Sequence, residues 1–230
     1  MKRKTVLLAI VVLSALIISP AWRVPQDKRD IAAYLIKVVK DVQKKSPAAG
    51  WQQAVPLDVL KSGHQVRTDE KSFALIRFAD ETKLLLREKT VAEIKGQIEG
   101  KQILDRNVHT TRGNVGFDVK KQEKEAFRFS SPISVASIRG TTGYFEHQDD
   151  QLIDLFGISK GLGTLTNLIS DQSVDVSDNQ TGVSNGQGNL DVRNSTPGEL
   201  LLSGANFPTD DELAVPGEPR QHELRFSAQD

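Results

Sequence analysis

The sequence contains no cysteine among its 230 residues. That excludes a disulfide framework, a thiolate metal site, thiol catalysis and any lipid anchor built on cysteine. Histidine is nearly as scarce. His64, His109, His147 and His222 are scattered, and no two stand at the i, i+2 or i, i+4 spacing of local metal ligands. There is no G-x-S-x-G elbow and no phosphate-binding loop. Asp171, Asp175 and Asp178 lack the spacing of an EF-hand loop. The expectation is a chain without metal, cofactor or catalytic set. Glu146, His147, Asp149, Asp150 and Asp154 form a polar cluster that reads as a solvated hairpin loop.

Long apolar runs are also missing. The longest, Val6 to Ile18, is broken only by Ser14 and falls short of the roughly 20 residues of a spanning helix. Lys2, Arg3 and Lys4 precede it and Ser19-Pro20-Ala21 follow. This is the layout of a secretory signal cut after Ala21, or of an anchor helix retained from Thr5 to Trp22. Either reading exports the body to a periplasmic or other extracytoplasmic location. Membrane contact is then confined to residues 5–22, and only if they are uncleaved.

Net charge is zero, but it is unevenly placed. Arg23 to His147 hold 23 basic and 16 acidic side chains; Gln148 to Asp230 hold 4 and 14. The acidic last third is poorly suited to nucleic acid, and none is expected as a partner.

What the sequence does have is strands. From Ala33 to about Val192, short runs of β-branched and aromatic residues are punctuated by turn residues every 8–12 positions, without a helical interruption. Residues 27–46 are ambiguous on pattern alone. Ile31, Tyr34, Leu35, Val38 and Val42 fall at helical spacing, yet residues 33–39 are rich in β-branched side chains. Phe73 to Leu86 is the clearest strand pair. Glu81 at its turn argues against a type I′ hairpin, which needs positive φ at two positions, and for a longer type I loop. Asp80 and Glu81 at that tip read as solvated. Gly63 marks a turn, and Lys120 to Glu125 an exposed loop. Pro132, without an amide hydrogen, belongs at a strand start or sheet edge. An ordered body over 33–192 and an acidic, partly disordered tail over 193–230 complete the expected organisation.

The chain is organised around Ser130 to Phe145, SSPISVASIRGTTGYF. Ile133, Val135 and Ser137 alternate with Ser134, Ala136 and Ile138, placing the two sets on opposite faces. Arg139-Gly140-Thr141-Thr142-Gly143 then reads as a bend or tight turn, or as a ligand site built on the same glycines.

An apolar strand, Arg-Gly-Thr, a short spacer and an aromatic strand resemble the signature segment of the FecR domain. Other blocks agree in order: Trp51-Gln52-Gln53-Ala54, Leu60 to Thr68 with Gly63 and Thr68, Ala79-Asp80-Glu81-Thr82, Gly113-Asn114-Val115-Gly116-Phe117, and Leu152 to Gly157. His64 stands where the family usually has aspartate, and Glu81 where it has glycine. The resemblance spans roughly residues 33–183 and implies an all-β module, a wound solenoid or sandwich-like roll, opening with strands at 33–39 and 41–45. It assigns Trp51, Gly63, Thr68, Asp80, Gly113, Pro132, Gly140 and Thr141 to the structural motif. It also implies an exported, non-enzymatic sensing or protein-interaction module whose partner is an envelope protein. Family members known as anti-sigma factors carry a cytoplasmic region ahead of their membrane helix; only four residues precede the segment at 5–22 here. Arg139 and Tyr144, flanking the bend, are the expected contact residues. Alternatively, Arg139 is a buried arginine paired to a carboxylate. A carbohydrate or cell-wall binding module, with Trp51 as platform, and an envelope polymer hydrolase are the competing functional readings.

Overall fold

A computed structural model describes residues 31–99, 102–121, 126–204 and 207. The signal or anchor expected at 1–22, the core of the loop at 120–125, and all but the start of the acidic tail lie outside these residues. Seventeen strands and one short helix occupy the described residues.

The strands form two sheets. Sheet I runs in the order β4 (Val59–Lys61), β1 (Ile31–Val39), β6 (Phe73–Phe78), β7 (Lys83–Leu86), β9 (Gln102–Asp118), β12 (Thr142–Gln148), β13 (Ile153–Lys160), β16 (Gln180–Asn185) and β17 (Leu190–Asn194). Sheet II runs β3 (Gln52–Gln53), β2 (Val42–Lys45), β5 (His64–Thr68), β8 (Val91–Glu99), β9, β10 (Phe127–Ser130), β11 (Ser134–Ile138), β14 (Gly163–Asn167) and β15 (Ser173–Val176). Every pairing is antiparallel except β9 with β10. β9 belongs to both sheets. Its first part pairs in sheet II, and from Gly113 onward it pairs in sheet I. The sequence pattern, with Gly113 as punctuation, predicts two short strands there; the structure joins them into one strand with a corner.

The chain winds between the two layers. Each passage from one sheet to the other contains a residue of positive φ: Lys40, Leu57, Gly63, Lys71, Lys89, Gly113, Gly140, Gly161 and Asn179. The exception is the β9–β10 connection, which is only partly described. A reversal this tight between layers needs a left-handed residue, and non-glycine side chains take it at a cost of about 1–2 kcal/mol each. The all-β expectation holds. The winding is that of a solenoid and the packing that of a sandwich, so both expected architectures describe one object.

Period-two alternation decides what lies between the layers. Phe78, Phe117 and Phe145 of sheet I meet Phe127 and Phe129 of sheet II, all of them buried. Phe117 stacks on Phe129 at 4.5 Å between ring centroids, and Phe78 meets Phe127 edge-on at 5.4 Å. Aromatic pairs of this kind contribute about 0.5–1.5 kcal/mol beyond the area they bury. The β-branched run at 33–39 resolves as β1, not a helix, because Ala33 and Leu35 need to reach this core from a strand.

The hairpin between β6 and β7 has the expected longer loop. Glu81 donates its amide to the Phe78 carbonyl at 3.1 Å and takes φ 68° itself, a type I turn closed by a left-handed residue. The two acids at its tip are not simply solvated. Asp80 pairs with Arg106, whose guanidinium also lies over the Phe127 ring, and Glu81 pairs with Arg77.

The ordered body continues past the boundary expected at 192. β17 ends at Asn194, and helix α1 (Pro197–Leu202) then lies on the outer face of sheet I. Thr196 caps α1 and Glu199 closes a capping box with it. Glu199 also takes a bidentate ion pair from Arg193, at 2.8 and 2.6 Å. Arg193 first, and then the Thr196 cap, hold the Glu199 carboxyl down at about 2. A carboxyl depressed in the folded chain stabilises it fully above its ordinary value near 4.5 and progressively less as pH falls toward 2. Amide exchange across α1 is therefore expected to accelerate between about pH 4.5 and 2 ahead of the core strands, and Glu199→Gln to abolish that pH dependence. Exchange in α1 that follows the core at every pH would contradict this coupling.

Candidate functional site

The inter-sheet crossings stack in two rows, and side chains tie neighbours within each row. In one row Thr68 donates to the Arg87 carbonyl at 2.5 Å and accepts from the Thr90 amide at 3.0 Å. Thr90 in turn donates to the Asn114 carbonyl and accepts from the Asn114 amide. In the other row the Val119 amide donates to the Thr141 carbonyl, Thr141 donates to the Leu162 carbonyl at 2.9 Å, and the Gly161 amide donates to Asp178 at 2.6 Å. Buried threonines suit these corners because one hydroxyl both donates and accepts. Thr68 and Thr141 tie neighbouring crossings through these bonds, and Gly63 and Gly113 each sit at a crossing with φ above 80°. Pro132 is exposed in the β10–β11 turn.

Gly140 sits at φ 105°, and a Cβ there would lie 2.8 Å from the Lys121 Cα. The expected loss for Gly140→Val is therefore a few kcal/mol, combining a left-handed β-branched residue with a backbone collision. Chemical denaturation checks it, and a near-neutral result would remove Gly140 from its structural place.

The two expected contact residues part company. Arg139 is exposed and makes no ion pair among the described residues, so the buried-arginine reading is overturned. Tyr144 is 1% exposed, and its expected role as a contact is overturned as well. It points to the outer face of sheet I, where Gly116 and Gly157 are its cross-strand neighbours. Its ring fills the space a Gly157 side chain would take, and its hydroxyl lies 3.4 Å from Thr181. Burial pushes its phenol well above the ordinary range.

Trp51 is half-buried at the start of β3. The Arg67 guanidinium lies 4.3 Å from its ring centroid and is itself held by Gln43. One face of the indole is thus already occupied, which disfavours a sugar platform. Beside it, on the outer side of sheet II, opens a groove of about 340 Å³ lined by Asp41, Gln43, Arg67, Asp69, Lys89 and Arg112.

The polar cluster expected to be solvated is in part the reverse. Asp154 and His147 are 0% and 2% exposed. They are cross-strand partners on β13 and β12, facing inward with Phe156 and Phe145. His147 Nδ1 lies 2.6 Å from Asp154 Oδ1. Asp154 Oδ2 accepts from Ser131 Oγ at 2.5 Å and from Ser134 Oγ. Ser134 is the cross-strand neighbour of Asn167, and Asn167 donates to Ser184 at 2.7 Å. A continuous polar band therefore links sheet I to sheet II inside the core. It contains serine, histidine and aspartate, but not in catalytic order. Both serines are bonded to the carboxylate and not to the imidazole, and Ser131 Oγ additionally accepts the Ile133 and Ser134 amides. A second pair, His109 Nδ1 with Ser130 Oγ at 3.0 Å, lies on the outer side of sheet II, where Asn107 also bonds that hydroxyl. Burial, then Lys95, lowers the His109 pKa from its usual value.

Sequence reading missed the buried band. Its signal was present: Ser134, His147 and Asp154 occupy positions whose period-two neighbours Ala136, Phe145 and Phe156 are core residues.

Two solved structures, each described as an anti-sigma factor from Parabacteroides distasonis ATCC 8503, are similar to this chain. They share 13% and 15% identity, cover 57% of this chain and have a TM-score of 0.49. The chain matches 59% of the length of each. Comparison with curated proteins found no match. The family model described as FecR protein matches residues 64–155, from the start of β5 into β13. That match is narrower than the resemblance, leaving out Trp51 and everything after Leu155, yet it includes the Arg-Gly-Thr crossing and most of the buried band. This chain carries a FecR domain over residues 64–155.

Proposed function

We propose that this chain is an exported, non-enzymatic module that senses or relays a signal in the cell envelope by binding another protein. The FecR domain carries the reading, because that domain marks regulatory and signalling proteins. Export is supported by the basic start and apolar run at residues 2–18. A binding role is supported by where the polar groups lie. The buried band is sealed from solvent and mutually satisfied, whereas Arg139 stands exposed on the crossing that the domain signature surrounds.

The test is recovery of partners from a cross-linked envelope, comparing wild type with Arg139→Ala at matched stability. Recovery of a defined protein by wild type and its loss in the variant support the reading and give Arg139 its role. Recovery of glycan alone, turnover of an envelope polymer by purified protein, or full protection of the body from external protease in cells stripped of their outer layers would each overturn it.

A further inference from the structure

From β10 onward the chain lays down hairpins alternately in sheet II and sheet I, and the last of each leaves an edge. β15 closes sheet II and β17 closes sheet I, and among the described residues nothing pairs with their outer sides. The two edges lie over one another, and Val174, Leu190 and Val192 between them are only partly buried against the core. The interior of the sandwich therefore comes to the surface at this end.

The backbone there is poised for pairing. The Asn185 amide bonds the Asn189 carbonyl and the Ser195 amide bonds the Asn179 carbonyl, which fixes the alternation along β16–β17. Asp191 and Arg193 spend their amides on β16, so those of Leu190, Val192 and Asn194 point outward. Side chains along the edge are sorted as well. Leu190 and Val192 face the core, while Asp191 faces out. Asp171, Asp175 and Asp178 add exposed carboxylates around the same end, and Arg193 is neutralised by Glu199.

We propose that β17 is an addition site for an extended polypeptide segment of a partner, alternating basic and aliphatic residues, which joins sheet I as its next strand. Its aliphatic side chains would extend the core over Val192 and Val174, and its basic ones, on the outer face of sheet I, would lie beside Asp191. A second copy of this chain fits less well. Pairing β17 with β17 places like charges together, and the opposite edges, β3 and β4, have only two and three residues. The proposal rests on the protein-binding reading above and names the surface that performs it.

The probe is a blocked peptide alternating lysine with valine, added to the purified domain with amide exchange read by NMR. The expected result is exchange about tenfold or more slower at Leu190, Val192 and Asn194, weakened by salt. Asn194→Pro removes an outward amide without an internal bond and should abolish the effect. Asp191→Lys should transfer the preference to a glutamate–valine peptide, a check that survives if the proline variant fails to fold. No protection by the lysine–valine peptide, or equal protection by both peptides at the wild-type edge, would overturn the proposal. If a protein partner is captured from the envelope equally well by wild type and Asn194→Pro, the edge is excluded and the binding role stands. If no protein partner is captured while the peptide still protects β17, the broader role fails and the edge remains.

Discussion

Asp154→Ala is expected to cost about 3–5 kcal/mol, because it leaves His147, Ser131 and Ser134 without their acceptor in a part of the core that water does not reach. The effect comes less from the bonds lost than from the donors left behind. Asp154→Asn should lose less, since one amide oxygen still accepts, while its NH2 group confronts a donor. Urea denaturation of the two variants, with the slope compared to wild type, separates these contributions. A loss below about 1 kcal/mol for the alanine variant would mean that the band relaxes or hydrates freely. Because the band spans the two sheets, its failure is expected to separate them at this end first. Amides of β13 and β14 should then exchange sooner than those of β6 and β7, where the contact between layers is aromatic.

The second large effect is expected at Gly143. A Cβ there would sit 2.1 Å from the Gly157 carbonyl oxygen and 2.9 Å from the Phe117 ring. The first is backbone on a central strand, and the second is a ring stacked on Phe129, so neither yields cheaply. Overpacking usually costs about 1–3 kcal/mol, and a contact this close to backbone puts Gly143→Ala at or above the top of that range. Gly50→Ala, where nothing lies within 4 Å, is the control and should be nearly neutral. Soluble yield and denaturation midpoint report both. Equal stability of the two variants would show that β12 and β13 can separate enough to admit a methyl group, contrary to the pairing Tyr144–Gly157 that locks them.

Much of this architecture was legible in the sequence because period-two alternation and turn residues are local signals. The β6–β7 hairpin with its longer loop and the alternation of Ser134, Ala136 and Ile138 against Ile133, Val135 and Ser137 follow from such signals. The left-handed φ of Glu81 does not, and β1 and β2 came from the family resemblance. What was not legible is pairing across the layers. Nothing local says that β9 passes from one sheet to the other at Gly113, or that Asp154 finds Ser131 and Ser134 across 23 and 20 residues of sequence. Tyr144 misled for a related reason. An aromatic beside a glycine-rich bend is a surface candidate until its strand neighbours are known, and these prove to be two glycines that leave room for its ring. The ion pairs of Asp80 and Glu81 are likewise set by where Arg106 and Arg77 emerge on adjacent strands.

The alternation of hairpins after β10 constrains how such a chain changes size. Each hairpin pairs with the one laid down two steps earlier in its own sheet and faces one in the other. Adding or removing a single hairpin would lengthen one layer alone, exposing apolar side chains opposite the gap and sending the next crossing to the wrong side. Adding or removing a consecutive pair alters neither. The length of this half of the molecule is therefore quantised: related chains are expected to differ by whole pairs of hairpins, with smaller insertions confined to the hairpin tips.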